Sequence, residues 1–225
     1  MRCRYLLRCG LLLLIVLLTW YAVSNSLLIK PEVISQDKVI SQDKVISQAP
    51  SHDPKCALPK SCDINQFAFY LQTGAANVLG PKICFEGEVI MSGVHNNIGH
   101  GLNIAVIDAE SGKIEKTDYF NMYSGKPEDL MQFLLAIKPG KIVLVASFDD
   151  SATKLTDDIR EVFAKMGSTL IKSLSFRDTW VFAGATGIEH TSSFEKMVKN
   201  NKATNTYDGW PEIADLAGCF PRKLY

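Results

Sequence analysis

The chain has 225 residues, with 24 Lys and Arg against 24 Asp and Glu, so its bulk electrostatics point to neither nucleic acid nor an anionic surface. A composition that is 47% hydrophobic, 21% charged and 9% aromatic excludes a disordered or collagen-like chain and suits one folded domain, two at most. Six Cys are the unusual feature, and their meaning depends on the compartment the chain reaches.

At the N-terminus, Arg2, Arg4 and Arg8 precede an uncharged run from Gly10 to Val23, GLLLLIVLLTWYAV. The run is long for the apolar part of a secretory signal and short of the roughly 20 residues that span a bilayer comfortably. We read residues 1–24 as a signal peptide, with Ala22 and Ser24 as the small residues of a cleavage site and Ser26 as a second exit. The rival reading is an uncleaved type II anchor, in which Leu27, Leu28 and Ile29 extend the span and the three Arg stay cytosolic. Cleavage would remove three Arg and no acid, leaving 21 basic against 24 acidic residues and a net charge of −3. It would also remove Cys3 and Cys9. Cys56, Cys62, Cys84 and Cys219 remain, an even set in a chain routed to an oxidising compartment, which predicts two disulfides rather than a metal site. Cys56 and Cys62 are also too far apart for the C-x₂₋₄-C hairpins that hold zinc. No N-x-[ST] sequon occurs, so N-glycans are expected to be absent.

Residues 25–55 read as an exposed linker. VISQDK stands at 33–38 and again at 39–44, VISQ follows at 45–48, and so short a repeat flanked by Pro31 and Pro50 cannot stack into a solenoid. The globular domain is therefore expected from 56 to 225.

Strands are predicted at 67–72, 89–92, 102–107, 117–123, 142–147 and 179–183. Those at 102–107 and 142–147 are apolar on both faces and are expected at the centre of a sheet. A helix over 127–137 opens on Pro127 with Glu128 and Asp129, places Leu130, Phe133, Leu134 and Ile137 on one stripe, and stops at Pro139-Gly140. Thr156 caps a second helix over 157–166, with Ile159, Val162, Phe163 and Met166 inward and Gly167 as its end. A shorter helix is expected from Ser193, burying Phe194, Met197 and Val198. By pattern, 142–183 fits a βαβ crossover, whereas the Asn96-Asn97 and Glu110-Ser111-Gly112 turns suit antiparallel hairpins. The mixture predicts an α+β fold and leaves strand order open.

The sequence holds no G-x-S-x-G, H-E-x-x-H or Walker motif, and Gly93, Gly99 and Gly101 do not form G-x-G-x-x-G. His52, His95, His100 and His190 lack ligand spacing, so neither an enzyme, a metal nor a cofactor is expected. Asp149-Asp150, just past a central strand, is the most suggestive pair. Adjacent residues at a strand end point to opposite sides, so bonding to local backbone N–H groups or to Lys154 is the plainer reading. Arg177 and Asp178 are expected to pair with each other or with neighbours, and Trp180 to pack in the core.

GAANVLGPKICFE (74–86), GLNIAVI (101–107), NMYSG (121–125), VLVASFDDSATKL (143–155), FRDTWVFAGATGI (176–188), YDGWPE (207–212) and the Gly218-Cys219 pair carry a specific similarity. Over 56–220 the chain resembles the four-member secreted cytokine-like family termed family with sequence similarity 3. The resemblance implies a compact β-β-α domain, with two antiparallel sheets packed with about three helices. It also implies disulfides Cys56–Cys84 and Cys62–Cys219, where four Cys alone permit three connectivities. It implies a secreted, extracellular, non-enzymatic signal acting through a cell-surface receptor in metabolic, epithelial or leukocyte-recruiting roles. Ala183 stands where one family member has an additional Cys, so a monomer or noncovalent dimer is expected, without stable membrane insertion once the signal is removed. The domain is similar as well to the carbohydrate-binding stem of an O-mannose N-acetylglucosaminyltransferase. That second resemblance implies a glycan as alternative partner, held in a polar pocket of Asp149, Arg177, Asn121, His100 and Trp180. His100 and Asn121 replace an Arg and an Asp of the stem.

Overall fold

A computed structural model describes residues 14–21 and 55–222. The expected cleavage site, the VISQDK repeats and the remainder of 22–54 lie outside the described residues. Residues 14–21 form a helix, α1. Among the described residues no helix is long and apolar enough to cross a membrane. The rest of the description concerns the unit that begins at Pro50.

That unit contains β1 (Gln66–Gln72), β2 (Lys82–Phe85), β3 (Glu88–Met91), β4 (Gly101–Asp108), β5 (Ile114–Phe120), α2 (Pro127–Leu135), β6 (Lys141–Phe148), α3 (Asp157–Lys165), a 3₁₀ turn at Ile171–Ser173, β7 (Thr179–Ala185), β8 (Phe194–Val198) and β9 (Asp215–Pro221). The strands make two antiparallel sheets, one in the order β3-β2-β1-β9 and the other β5-β4-β6-β7-β8. β6 and β7 are antiparallel neighbours, so α3 connects them without the parallel crossover that the pattern allowed.

Alternation along the central strands explains the layering. Leu102, Ile104 and Val106 of β4, Val143 and Val145 of β6, and Trp180 and Phe182 of β7 pack against Leu130, Phe133 and Leu134 of α2 and Ile159 and Phe163 of α3. The intervening residues, including Ala105, Ile107, Ile142, Leu144, Ala146, Val181 and Ala183, meet Phe67, Phe69 and Leu71 of β1 from the other sheet. Each central strand is thus apolar on both faces because it lies between a sheet and a helix layer. The helix face carries the large rings of Trp180 and Phe182, whereas small Ala residues on the sheet face make room for the Phe rings of β1.

Several local expectations are corrected. Residues 194–198 form β8, not a helix: Phe194 and Val198 enter the inter-sheet core while Met197 turns to the helix side. Five residues are too few to separate period 2 from period 3.6, and hydrogen bonding to β7 decides it. β5 runs from Ile114 to Phe120, ending before Asn121, whose side chain accepts from the N–H groups of Tyr123 and Ser124 and closes a turn. α2 ends at Leu135, and Ile137 bonds back to Leu134 in a tighter turn. β2 and β9 were not anticipated. β9 contains Gly218 and Pro221, poor strand formers, and the Gly is required because a Cβ there would lie 2.8 Å from the Phe194 ring.

Disulfides join Cys56 to Cys84 and Cys62 to Cys219. The first ties the segment before β1 to β2, and the second ties it to β9. At the start of β4, Gly101 has φ +100, and a Cβ would sit 1.9 Å from the Phe120 carbonyl oxygen. Gly101→Ala is expected to cost more than about 2 kcal/mol in denaturant unfolding. Gly209→Ala, also at positive φ but with nothing within 4 Å, should cost about 1 kcal/mol.

Candidate functional site

Four of the five candidate residues lie in loops at one end of the five-stranded sheet. Gly101 pairs with Phe148, Leu102 with Phe120, and Ala146 with Val181, so Asn121, His100, Asp149 and Arg177 follow the strand order β5-β4-β6-β7 across that end. With strands about 4.8 Å apart, the row spans about 14 Å.

His100 and Asp149 form its centre. Nδ1 of His100 is 3.1 Å from Oδ2 of Asp149, and the imidazole stacks on Phe148 at 4.5 Å. Asp149 has φ +59, a conformation uncommon for a residue with a Cβ, which turns its carboxylate toward β4. Asp150 takes no part in that contact. It is buried, its Oδ1 accepts from the N–H groups of Ala152 and Thr153, and its Oδ2 has no partner. The pair therefore divides between a surface contact and a local turn, and its two carboxylates do not converge as a general acid and base would.

At the end of the row Arg177, with φ +60, lays its guanidinium over the Trp210 ring at 4.0 Å and near Phe176 at 4.9 Å. Trp210 is placed by a tight turn: Asp208 and Gly209 both have positive φ, and Tyr207 and Trp210 exchange backbone hydrogen bonds. Asp178 does not pair with Arg177. It is buried, accepting from Lys199 Nζ at 2.9 Å and from the N–H groups of Ser175 and Asn200.

Trp180 does not belong to the row. Its side chain is fully buried, stacked on Phe182 and edge-on to Phe163, and its Nε1–H donates to Glu195 at 2.9 Å. A side chain closed on all sides by protein has no face for a sugar, so the aromatic platform beside Arg177 is Trp210. The stem resemblance implies a pocket role for Trp180, whereas its apolar strand implies the core, and the inward alternation of β7 bears out the core. The Asp-Gly turn preceding Trp210 was the sequence signal that could have indicated it. Glu195 was missed as well, since its carboxylate stood on a segment read as helix. In β8 it accepts from Ser168, from Thr169 and Leu170 N–H groups, and from Trp180.

The strongest carboxyl perturbation lies at the opposite end of the sheet. Lys141 donates to both Asp108 and Glu115, and its hydrogen bond to Asp108, helped by Ser111, holds the Asp108 carboxyl below the usual carboxylate range. A depressed folded-state pKa contributes stability above the unfolded value, which is lost as pH falls through the folded one. Carboxyl titration by NMR is expected to show Asp108 protonating below the usual carboxylate range. This half-buried ion cluster ties β4, β5 and β6 together.

An α+β domain stapled by two disulfides, with a row of polar and aromatic loop residues at one sheet end, is the class that fold and site define. The family model described as Interleukin-like EMT inducer matches residues 100–188, the stretch from His100 past the end of β7. Protein FAM3C of Rattus norvegicus is 44% identical over 211 residues, 93% of each chain. Protein FAM3D of Mus musculus is 51% identical over 170 residues, 76% of each chain. Protein FAM3C of Danio rerio is 51% identical over 169 residues, 75% of this chain and 74% of its own. The chain belongs to the FAM3 family, a cytokine-like family.

Proposed function

We propose that this protein is a secreted, cytokine-like or hormone-like signal that acts by binding a cell-surface receptor and carries out no catalysis. Membership of a cytokine-like family, extending over 93% of a curated relative, is the observation that carries the reading. Two disulfides suit an oxidising, extracellular location, reached through the signal peptide expected at 1–24. The working form is a monomer or a noncovalent dimer, and the receptor's role falls in metabolic, epithelial or leukocyte-recruiting control.

Carbohydrate binding is the second reading, favoured by the Arg177 guanidinium held over the Trp210 ring in the same row as the His100–Asp149 pair. A carboxylate and a guanidinium next to an aromatic face are suited to hydroxyl recognition and ring stacking. A glycan array with wild type, Asp149→Ala, Arg177→Ala and Trp210→Ala separates the two. The signalling reading predicts no saturable glycan binding together with saturable binding to receptor-bearing cells. Glycan binding reduced more than about tenfold by those substitutions would establish the second reading instead.

A further inference from the structure

Each sheet has two outer strands, and three of the four are protected. On β3 the Asn97 side chain bonds to the Ile90 carbonyl and the Ser92 N–H, covering the outer edge. β5 carries Glu115, Lys116 and Asp118, with a register shift against β4. β8 carries Glu195 and Lys196 at its centre. Charges, bulges and side-chain covers are the devices by which edges avoid pairing with other strands.

β9 is different. The Glu86 N–H donates to the Ala68 carbonyl, so the backbone groups of Ala68 face β2 and those of Phe67 and Phe69 face β9. Phe220, Gly218 and Leu216 are therefore the residues hydrogen-bonded to β1, in agreement with the bond from the Thr73 N–H to the Ala214 carbonyl. Asp215, Ala217 and Cys219 direct their N–H and C=O groups away from β1, and no other described residue bonds them. The guarding residues of β9 stand at its two ends, Asp215, ion-paired with Lys196 of β8, and Pro221, while from Leu216 to Phe220 the strand has no charge and Ala217 is exposed. Alongside its last residues opens a cleft of about 300 Å³, lined by Cys219, Phe220 and Pro221 of β9 with Ile188, Ser192 and Phe194 of the segment facing it.

We propose that the free edge of β9 is a docking site for an extended peptide segment of a partner protein, which adds as a fifth strand and inserts an apolar side chain into the adjoining cleft. A row of alternating donors and acceptors is complementary to another strand's backbone, so main-chain bonds to Asp215, Ala217 and Cys219 supply affinity. Phe194, Phe220 and Ile188 in the cleft favour an aliphatic or aromatic residue. The uncharged stretch 216–220 favours a segment uncharged at its centre. This site is separate from the loop row and does not depend on either reading of function.

The test uses the secreted protein and a phage-displayed library of random dodecapeptides. Selected peptides are expected to alternate β-branched or aromatic residues with polar ones, and to slow hydrogen exchange at the amides of Ala217 and Cys219. Ala217→Pro removes one outward N–H without touching the β1 ladder, and is expected to weaken binding about tenfold or more. Ala217→Lys, which keeps the backbone and adds a guarding charge, should weaken it also and covers the case in which the Pro variant fails to fold. Failure to select any peptide would overturn the proposal, as would peptides that bind both variants as well as wild type or leave those amides unprotected. Protection that grows with protein concentration alone would assign the edge to a second copy of this chain and overturn it too.

Discussion

Removal of the Cys62–Cys219 disulfide by double substitution to Ala is expected to destabilise the domain by up to about 5 kcal/mol in urea unfolding, enough to prevent folding at 37 °C. The bridge closes 157 residues, against 28 for Cys56–Cys84. Chain entropy then gives about 5 kcal/mol for the long loop and about 4 kcal/mol for the short one. Placement adds to the difference. β9 joins its sheet through β1 alone, so the bridge is the covalent hold on a strand with a single hydrogen-bonded neighbour. Cys56–Cys84 secures the same entering segment to β2, which has strands on both sides. Equal losses from the two double variants would show that local packing outweighs the constraint on the unfolded chain.

Trp180→Ala is expected to cost about 4 kcal/mol and to be the most damaging single replacement among the candidate residues. It opens a cavity against Phe163 and Phe182 and deprives Glu195 of its indole donor. Trp210→Ala should leave stability within about 1 kcal/mol, because Trp210 is only partly buried, while releasing the Arg177 guanidinium. Thermal unfolding of the two variants side by side checks the assignment of one Trp to the core and the other to the surface. A mild Trp180→Ala with a severe Trp210→Ala would reverse it.

The layered architecture was legible where patterns were long. The stripes of 127–137 and 157–166 and the two-sided apolar runs at 102–107 and 142–147 each recorded a burial requirement that only a few packings satisfy. Short or irregular edges were not. β8 has five residues whose apolar positions fit either period, and β9 breaks strand propensity at Gly218 to admit the Phe69 and Phe194 rings, a demand made by residues far away in sequence. The row of Asn121, His100, Asp149 and Arg177 was named by resemblance, and its alignment across one sheet end came from antiparallel register. Trp180 packs in the core, as its place in an apolar strand predicts, and the pocket role implied by the stem resemblance does not fit that burial. Trp210 depends on the turn that Asp208-Gly209 signals locally, and Glu195 on a strand pairing that local pattern does not reveal.

Binding of the purified protein to intact cells, measured before and after enzymatic removal of surface glycans, is the most direct test of the proposed signalling role. The prediction is saturable binding that survives glycan removal and is unchanged by Asp149→Ala or Arg177→Ala. Binding abolished by glycan removal, or by those substitutions, would contradict a protein receptor and make the loop row a carbohydrate site.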